Sequence, residues 1–145
     1  MKYVPLFEEF VLNEANLNKT KAVDSRGKPM KVYHGQCGDF KPKNGPEIFF
    51  SSVRQVAESY AIYGATNSSK QPIIVTAYLN LPNPTFATPE DIEYGDVTYE
   101  DNGTILEDVY DGIGTHAVGV KSNIYVVRKK NQIVVDSIEP YDIQK

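Results

Sequence analysis

Residues 73–81, IIVTAYLNL, form the longest strand candidate in the chain, and Pro82 and Pro84 stop it because proline cannot donate to a β-ladder. No apolar run approaches the roughly 20 residues that span a bilayer, so neither a membrane-spanning helix nor a membrane partner is expected. At 145 residues the chain is long enough for one core and too short for two of ordinary size. Its 41% hydrophobic and 23% charged content is that of a globular protein rather than a disordered one. Cys37 is the only cysteine, which leaves no internal disulfide and no multi-cysteine zinc site.

Shorter elements fall on both sides of this strand. KAVD, the turn SRGKP and then MKVYHG read as strand, turn and strand. Gly35 and Gly38 open the loop HGQCGDFKPKNGP, and Ile48-Phe49-Phe50 follows as a short apolar run. Ser52 with Gln55 three residues on makes a capping box for a helix whose one face is Val53, Val56, Ala57, Tyr60 and Ala61, and Gly64 is placed to end it. Thr88 and Pro89 start a second, short helix. The last third reads as strands near DGIG, NIYVVR and QIVVDSI, with the loop THAVGVKS between the first two. Residues 1–14 stand apart: Pro5 suits a first helical turn, and Leu6, Phe7, Phe10 and Val11 recur at helical spacing. They lack the features of a secretory signal. Asn16 to Lys21 is polar and reads as a linker. The composite is one α+β domain over residues 15–145, richer in strand than helix, behind an amphipathic helix over residues 1–14.

Charge is unevenly distributed. Net charge is −4, which argues against direct nucleic-acid binding. Residues 1–72 carry ten Lys/Arg and seven Asp/Glu, while residues 73–145 carry five and twelve. Nine of those twelve acids lie between Glu90 and Asp111 without a basic residue among them. Such a stretch reads as a solvated acidic excursion, with docking of a basic protein as the functional alternative.

Most familiar chemistries find no support. His34, His116 and Cys37 do not stand at metal-ligand spacings, so no metal is expected. There is no G-x-S-x-G elbow, no P-loop and no G-x-G-x-x-G. What remains is a distributed constellation: Tyr33-His34-Gly35 at a strand end, then IFFSS, then A-x-x-Y on the helix. Eleven positions separate Phe49 from Tyr60, so a strand-turn-helix can set the two rings across a slot. A slot of that kind suits a flat, electron-poor heterocycle. A core histidine and core aromatics are the structural alternative.

At these residues the chain resembles the ADP-ribosyltransferase superfamily, in its diphtheria-toxin and poly(ADP-ribose) polymerase branch with the His-Tyr-Glu signature, and is most similar to the small phage-encoded, polyvalent-protein type. KAVDSRGKPMKVYHGQ with DF, IFFSSVRQVAESYA, YLNLPNP, VYDGIG and IYVVRKKNQI fall in the family's order, from about Asn18 to about Ser137. The resemblance implies a split β-sheet fold that binds NAD⁺ as substrate in a cleft between two small sheets. His34 would bond a ribose hydroxyl, the Gly35 backbone the carboxamide, and Tyr60 would stack the nicotinamide. Phe49 stands where the polymerase branch has a tyrosine, and Gln36 replaces a small hydroxyl residue. Tyr33, Phe50 and Ser51 complete the implied NAD⁺-binding set.

The family's third motif is an acidic residue opening a late strand. Here that strand begins Ser122-Asn123-Ile124-Tyr125, and no carboxylate stands at the position. Asn123 is the match, with Gln132 and His116 nearby and Glu107 and Asp108 too early. The implied catalytic set is therefore His34, Tyr60, Asn123 and Gln132. The expected activity is mono-ADP-ribosyl transfer to a protein, with an inactive NAD⁺ or ADP-ribose binder or a structural internal head protein as alternatives. MKYVPLFEEFVLNEA is also similar to the capsid-targeting leaders of phage internal head proteins, which are processed at a Leu-x-Glu site; Leu12-Asn13-Glu14 before Ala15 fits. This resemblance implies a protein packaged in the virion head and delivered to the host cytoplasm.

Overall fold

The longest strand candidate does become a strand paired on both sides. A computed structural model describes residues 17–88, 90–91 and 99–143. Its strands are β1 (Val32–Cys37), β2 (Ile48–Ser51), β3 (Pro72–Leu79), β4 (Thr85–Ala87), β5 (Thr104–Val109), β6 (Ser122–Val127) and β7 (Ile133–Pro140). A twelve-residue helix, α1 (Arg54–Ala65), follows β2. The seven strands form one sheet in the order β4-β5-β6-β2-β1-β3-β7, antiparallel throughout except for the parallel pair β4–β5. The expected α+β class, with more strand than helix, is the architecture found.

The two halves of this sheet are joined unequally. β1 pairs with β3 at six positions from Val32↔Ala77 to Cys37↔Pro72, and β2 pairs with β6 at four from Ile48↔Val127 to Ser51↔Ile124. Between β1 and β2 only Tyr33↔Ser51 pairs. The sheet therefore consists of two ladders that touch at one point and part beyond it.

Alternation along β3 explains why its sequence is apolar throughout. Ile73, Val75, Ala77 and Leu79 face a core shared with Val32, Phe50, Leu81, Tyr125 and Val127, while Ile74 points the other way to Ala57 and Ala61 of α1. β6 divides likewise, Tyr125 and Val127 to the first core and Ile124 and Val126 to a second with Val56 and Leu106. Helix α1 crosses β1 closely enough that a Cβ on Gly35 would lie 1.8 Å from the Ala57 carbonyl oxygen.

Several expected elements are corrected. The strand KAVD shrinks to the single bridge Val23↔Pro29, because the Asp24 carboxylate accepts from the N–H groups of Arg26 and Lys28 and closes a turn instead. The Lys28 and Arg26 N–H groups also hold that carboxyl below its ordinary range. Ser52 and Gln55 form no capping box. Val53 is the extended N-cap residue, Ser52 Oγ accepts from the Asn123 N–H, and the Gln55 amide donates to the His116 carbonyl. Gly64 lies inside α1, where a Cβ would stand 3.2 Å from Cys37 Sγ; the helix runs on to Ala65.

DGIG is a loop rather than a strand. The strand in that region is β5, which carries part of the acidic excursion into the sheet with Thr104, Ile105, Leu106 and Val109 buried. Glu107 and Asp108 stay outside at an irregularity in the β5–β6 register. The supposed linker is also part of the domain: Leu17 is buried, Thr20 Oγ1 donates to the Leu79 carbonyl and accepts from the Leu81 N–H, and the Lys21 N–H donates to the Leu81 carbonyl. Thr88 and Asp91 exchange hydrogen bonds in the manner of a helix start. The proposed leader over residues 1–14 lies outside the described residues. No helix among the described residues is long and apolar enough to cross a membrane.

Gly35→Ala should lower unfolding stability by about 3 kcal/mol, since a rigid backbone carbonyl blocks the new methyl. Gly64→Ala should change it by less than about 1 kcal/mol, because the neighbour is a single sulfur and helix propensity improves. Urea denaturation of the two variants would measure the difference.

Candidate functional site

Where the two ladders part, a cavity of about 390 Å³ opens beneath α1. β1 contributes Tyr33, His34 and Gly35, β2 contributes Phe49, Phe50 and Ser51, and α1 contributes Val56, Ala57 and Tyr60. Tyr99 and Asp111, from the segments flanking β5, complete the lining. A volume of this size is in the range of small-molecule sites. The spacing argument is met: Phe49 on the strand and Tyr60 two turns into the helix line the same space.

Each side chain is held by a definable contact. The His34 ring clusters with Phe40 and Phe50, whose centroids are 5.4 and 5.5 Å away. Its Nδ1 is 2.8 Å from the Phe49 carbonyl oxygen. Nε2 meets Gln36 Oε1 at 2.9 Å, and the Gln36 amide group donates to the carbonyls of Gly38 and Asp39. Gln36 thus ties the histidine to the following loop. Phe49 is 40% exposed and stands edge-on to Tyr99, ring centroids 5.7 Å apart. Phe50 is fully buried, and Ser51 Oγ accepts from the Val53 N–H.

The Tyr60 hydroxyl donates to Asp111, whose carboxylate Oδ2 and backbone oxygen both lie 2.7 Å away. Burial, and then the Asp111 hydrogen bond and charge, push the Tyr60 hydroxyl far above its ordinary value. Tyr99 is raised as well, by burial first and then by the charges of Asp111 and Glu47. Both phenols stay neutral donors at physiological pH.

A second cavity of about 380 Å³ adjoins the first and shares His34 and Phe49 with it. Gln36, Phe40, Lys41, Lys43 and Glu47 are among its lining residues. The pair of cavities therefore offers an aromatic compartment and a more polar one on either side of the histidine.

The structure brings Tyr33, His34, Gly35, Phe49, Phe50, Ser51 and Tyr60 together and places Gln36 in the adjoining space. Asn123 and Gln132 line neither cavity. Asn123 Oδ1 accepts from the Asp108 N–H and steadies the irregular end of β5. Gln132 is buried with both ends used, its Oε1 accepting from the N–H groups of Arg128 and Lys129 and its amide donating to the Asp101 carbonyl. His116 also stands apart, with Nε2 2.9 Å from Glu58 Oε1. Asp111 and Tyr99 are the lining residues that sequence reasoning missed. Only the tertiary hydrogen bond from Tyr60 distinguishes Asp111 from the eight acids before it in the acidic run. Cys37 packs against α1, its Sγ 3.6 Å from the Ala61 carbonyl. Among the described residues no three His, Cys, Asp or Glu gather to hold a metal ion.

No protein-family model matches the chain, and a search of curated proteins finds no match.

The raised tyrosines make stability fall in alkali. An unfolded tyrosine ionises near pH 10 whereas folded Tyr60 keeps its proton, so its contribution is intact below pH 10 and is lost as pH rises toward the folded value. Unfolding free energy measured from pH 8 to 11 should decline above 10, and Tyr60→Phe should flatten that decline.

Proposed function

We propose that the paired cavities bind NAD⁺ and that the chain is a mono-ADP-ribosyltransferase acting on a protein. The observation that carries this reading is the seam: two ladders joined only through Tyr33↔Ser51, with His34-Gly35 on one lip, Phe49 on the other and Tyr60 above. That arrangement accords with the split sheet implied by the family resemblance. The aromatic cavity has the lining that a flat heterocycle needs. The adjoining cavity offers Lys41 and Lys43 to an anionic pyrophosphate.

In this reading the nicotinamide lies against Phe49 and Tyr60, and the Gly35 backbone meets its carboxamide. The Nε2 side of His34 exchanges Gln36 for a ribose hydroxyl. The glycosidic C–N bond breaks with its electron pair going to the nicotinamide nitrogen. A nucleophile on the acceptor protein then bonds the anomeric carbon and releases its proton to solvent. A host protein is the acceptor in this reading, and the acidic residues around β5 favour a basic one.

One observation favours a second reading, an NAD⁺ or ADP-ribose binder without catalysis: Asn123, the match to the third motif, is turned to the Asp108 backbone rather than to the cavity. Labelled NAD⁺ incubated with the protein and a host lysate separates the two. Transfer of label with nicotinamide release is expected, and His34→Ala should abolish NAD⁺ binding. Binding without release would select the binder, and absence of both would overturn the NAD⁺ reading.

A further inference from the structure

The aromatic cavity contains a single carboxylate among the described residues that line it, that of Asp111. It is placed with care. Tyr60 donates to it, the Ile113 N–H donates to the buried Ser59 hydroxyl at 3.0 Å, and Gly112 sits where a Cβ would come within 2.2 Å of the Ala117 side chain. Three consecutive residues are therefore pinned to α1 and the turn after them. Among the described residues no Lys, Arg or His forms an ion pair with Asp111. A half-buried carboxylate without a counter-ion, in a cavity lined also by Phe49, Tyr60 and Tyr99, suits a positive ligand, which both the charge and the ring quadrupoles favour.

We propose that Asp111 selects a positively charged, flat ring and then stabilises the positive sugar carbon formed when that ring leaves. This rests on the NAD⁺ reading of the cavity and assigns it a carboxylate from a loop where the late strand has none. Before cleavage the positive charge lies on the pyridinium ring. As the C–N bond breaks, its electron pair neutralises the ring, and the positive charge passes to the anomeric carbon and the sugar ring oxygen. The contribution of Asp111 is electrostatic and grows as charge concentrates on the sugar. Tyr60 acts as the positioning residue, a neutral donor that fixes the carboxylate without cancelling its charge.

The test compares NAD⁺ with NADH, which differ in the charge of the nicotinamide ring, by titration calorimetry. The wild-type protein should bind NAD⁺ about tenfold tighter or more. Asp111→Asn keeps the size and an acceptor for Tyr60; it should weaken NAD⁺ alone, lose most of the preference, and slow nicotinamide release at saturating NAD⁺ by about 100-fold. Asp111→Glu should recover part of both. Equal wild-type affinity for the two dinucleotides, or an unchanged preference in Asp111→Asn, would overturn the assignment while leaving the NAD⁺ reading intact. Should Asp111→Asn not fold, 1-methylnicotinamide against nicotinamide on the wild-type protein decides: the cation must bind about tenfold tighter, and equal binding overturns the assignment. Absence of any dinucleotide binding to the wild-type protein would overturn the NAD⁺ reading and the role of Asp111 with it.

Discussion

The approach of α1 to β1 governs the shape of the molecule. The Ala57 carbonyl occupies the space that any side chain at position 35 would need, so the helix can lie on the strand only because that residue is glycine. From there Ala57 and Ala61 cover Ile74, and Tyr60, one turn beyond Ala57, is carried over the seam rather than into solvent. The same helix begins where β2 has turned toward β6, and Ser52 and Asn123 bond each other there through backbone and side chain. α1 thus spans two ladders that otherwise meet at one residue pair. The width of the cavity follows from how deeply the helix is seated.

Within that space the polar groups are few, and His34, Ser51, Tyr60 and Asp111 are each hydrogen-bonded. Two tyrosines hold their protons because burial and the Asp111 charge both oppose phenolate formation. His34 is fixed at one nitrogen by a strand carbonyl and at the other by Gln36. The ring is therefore oriented before any ligand arrives, which reduces the entropy lost on binding. Gln36 is the contact a ligand at Nε2 would displace.

Sequence reasoning reached the parts of this arrangement that depend on local pattern. The long apolar run and the two prolines located β3, and the eleven-residue spacing placed Phe49 and Tyr60 in one space. It missed where local preference yielded to tertiary contact. Ser52 and Gln55 carry a good helix-start signal, yet both serve other elements. β5 was hidden because its acids suggested solvent, although four of its six residues are buried. Asn123 and Gln132 were plausible by order along the chain, but their amides are spent on backbone groups of neighbouring loops. Asp111 had no local signature at all; its position is set by a hydroxyl 51 residues away.

Thr20 makes the polar segment ahead of Lys21 a structural part of the domain. Its hydroxyl joins the Leu79 carbonyl to the Leu81 N–H, beyond the last ladder pair of β3, and Leu17 is buried just before it. The segment that opens at Leu17, ahead of Lys21, is therefore part of the folded domain. A proteolytic cut ahead of that point leaves the end of β3 anchored. One placed after Thr20 would leave the Leu81 N–H and the Leu79 carbonyl unpaired in the interior, so truncation tolerance should change abruptly across these four residues.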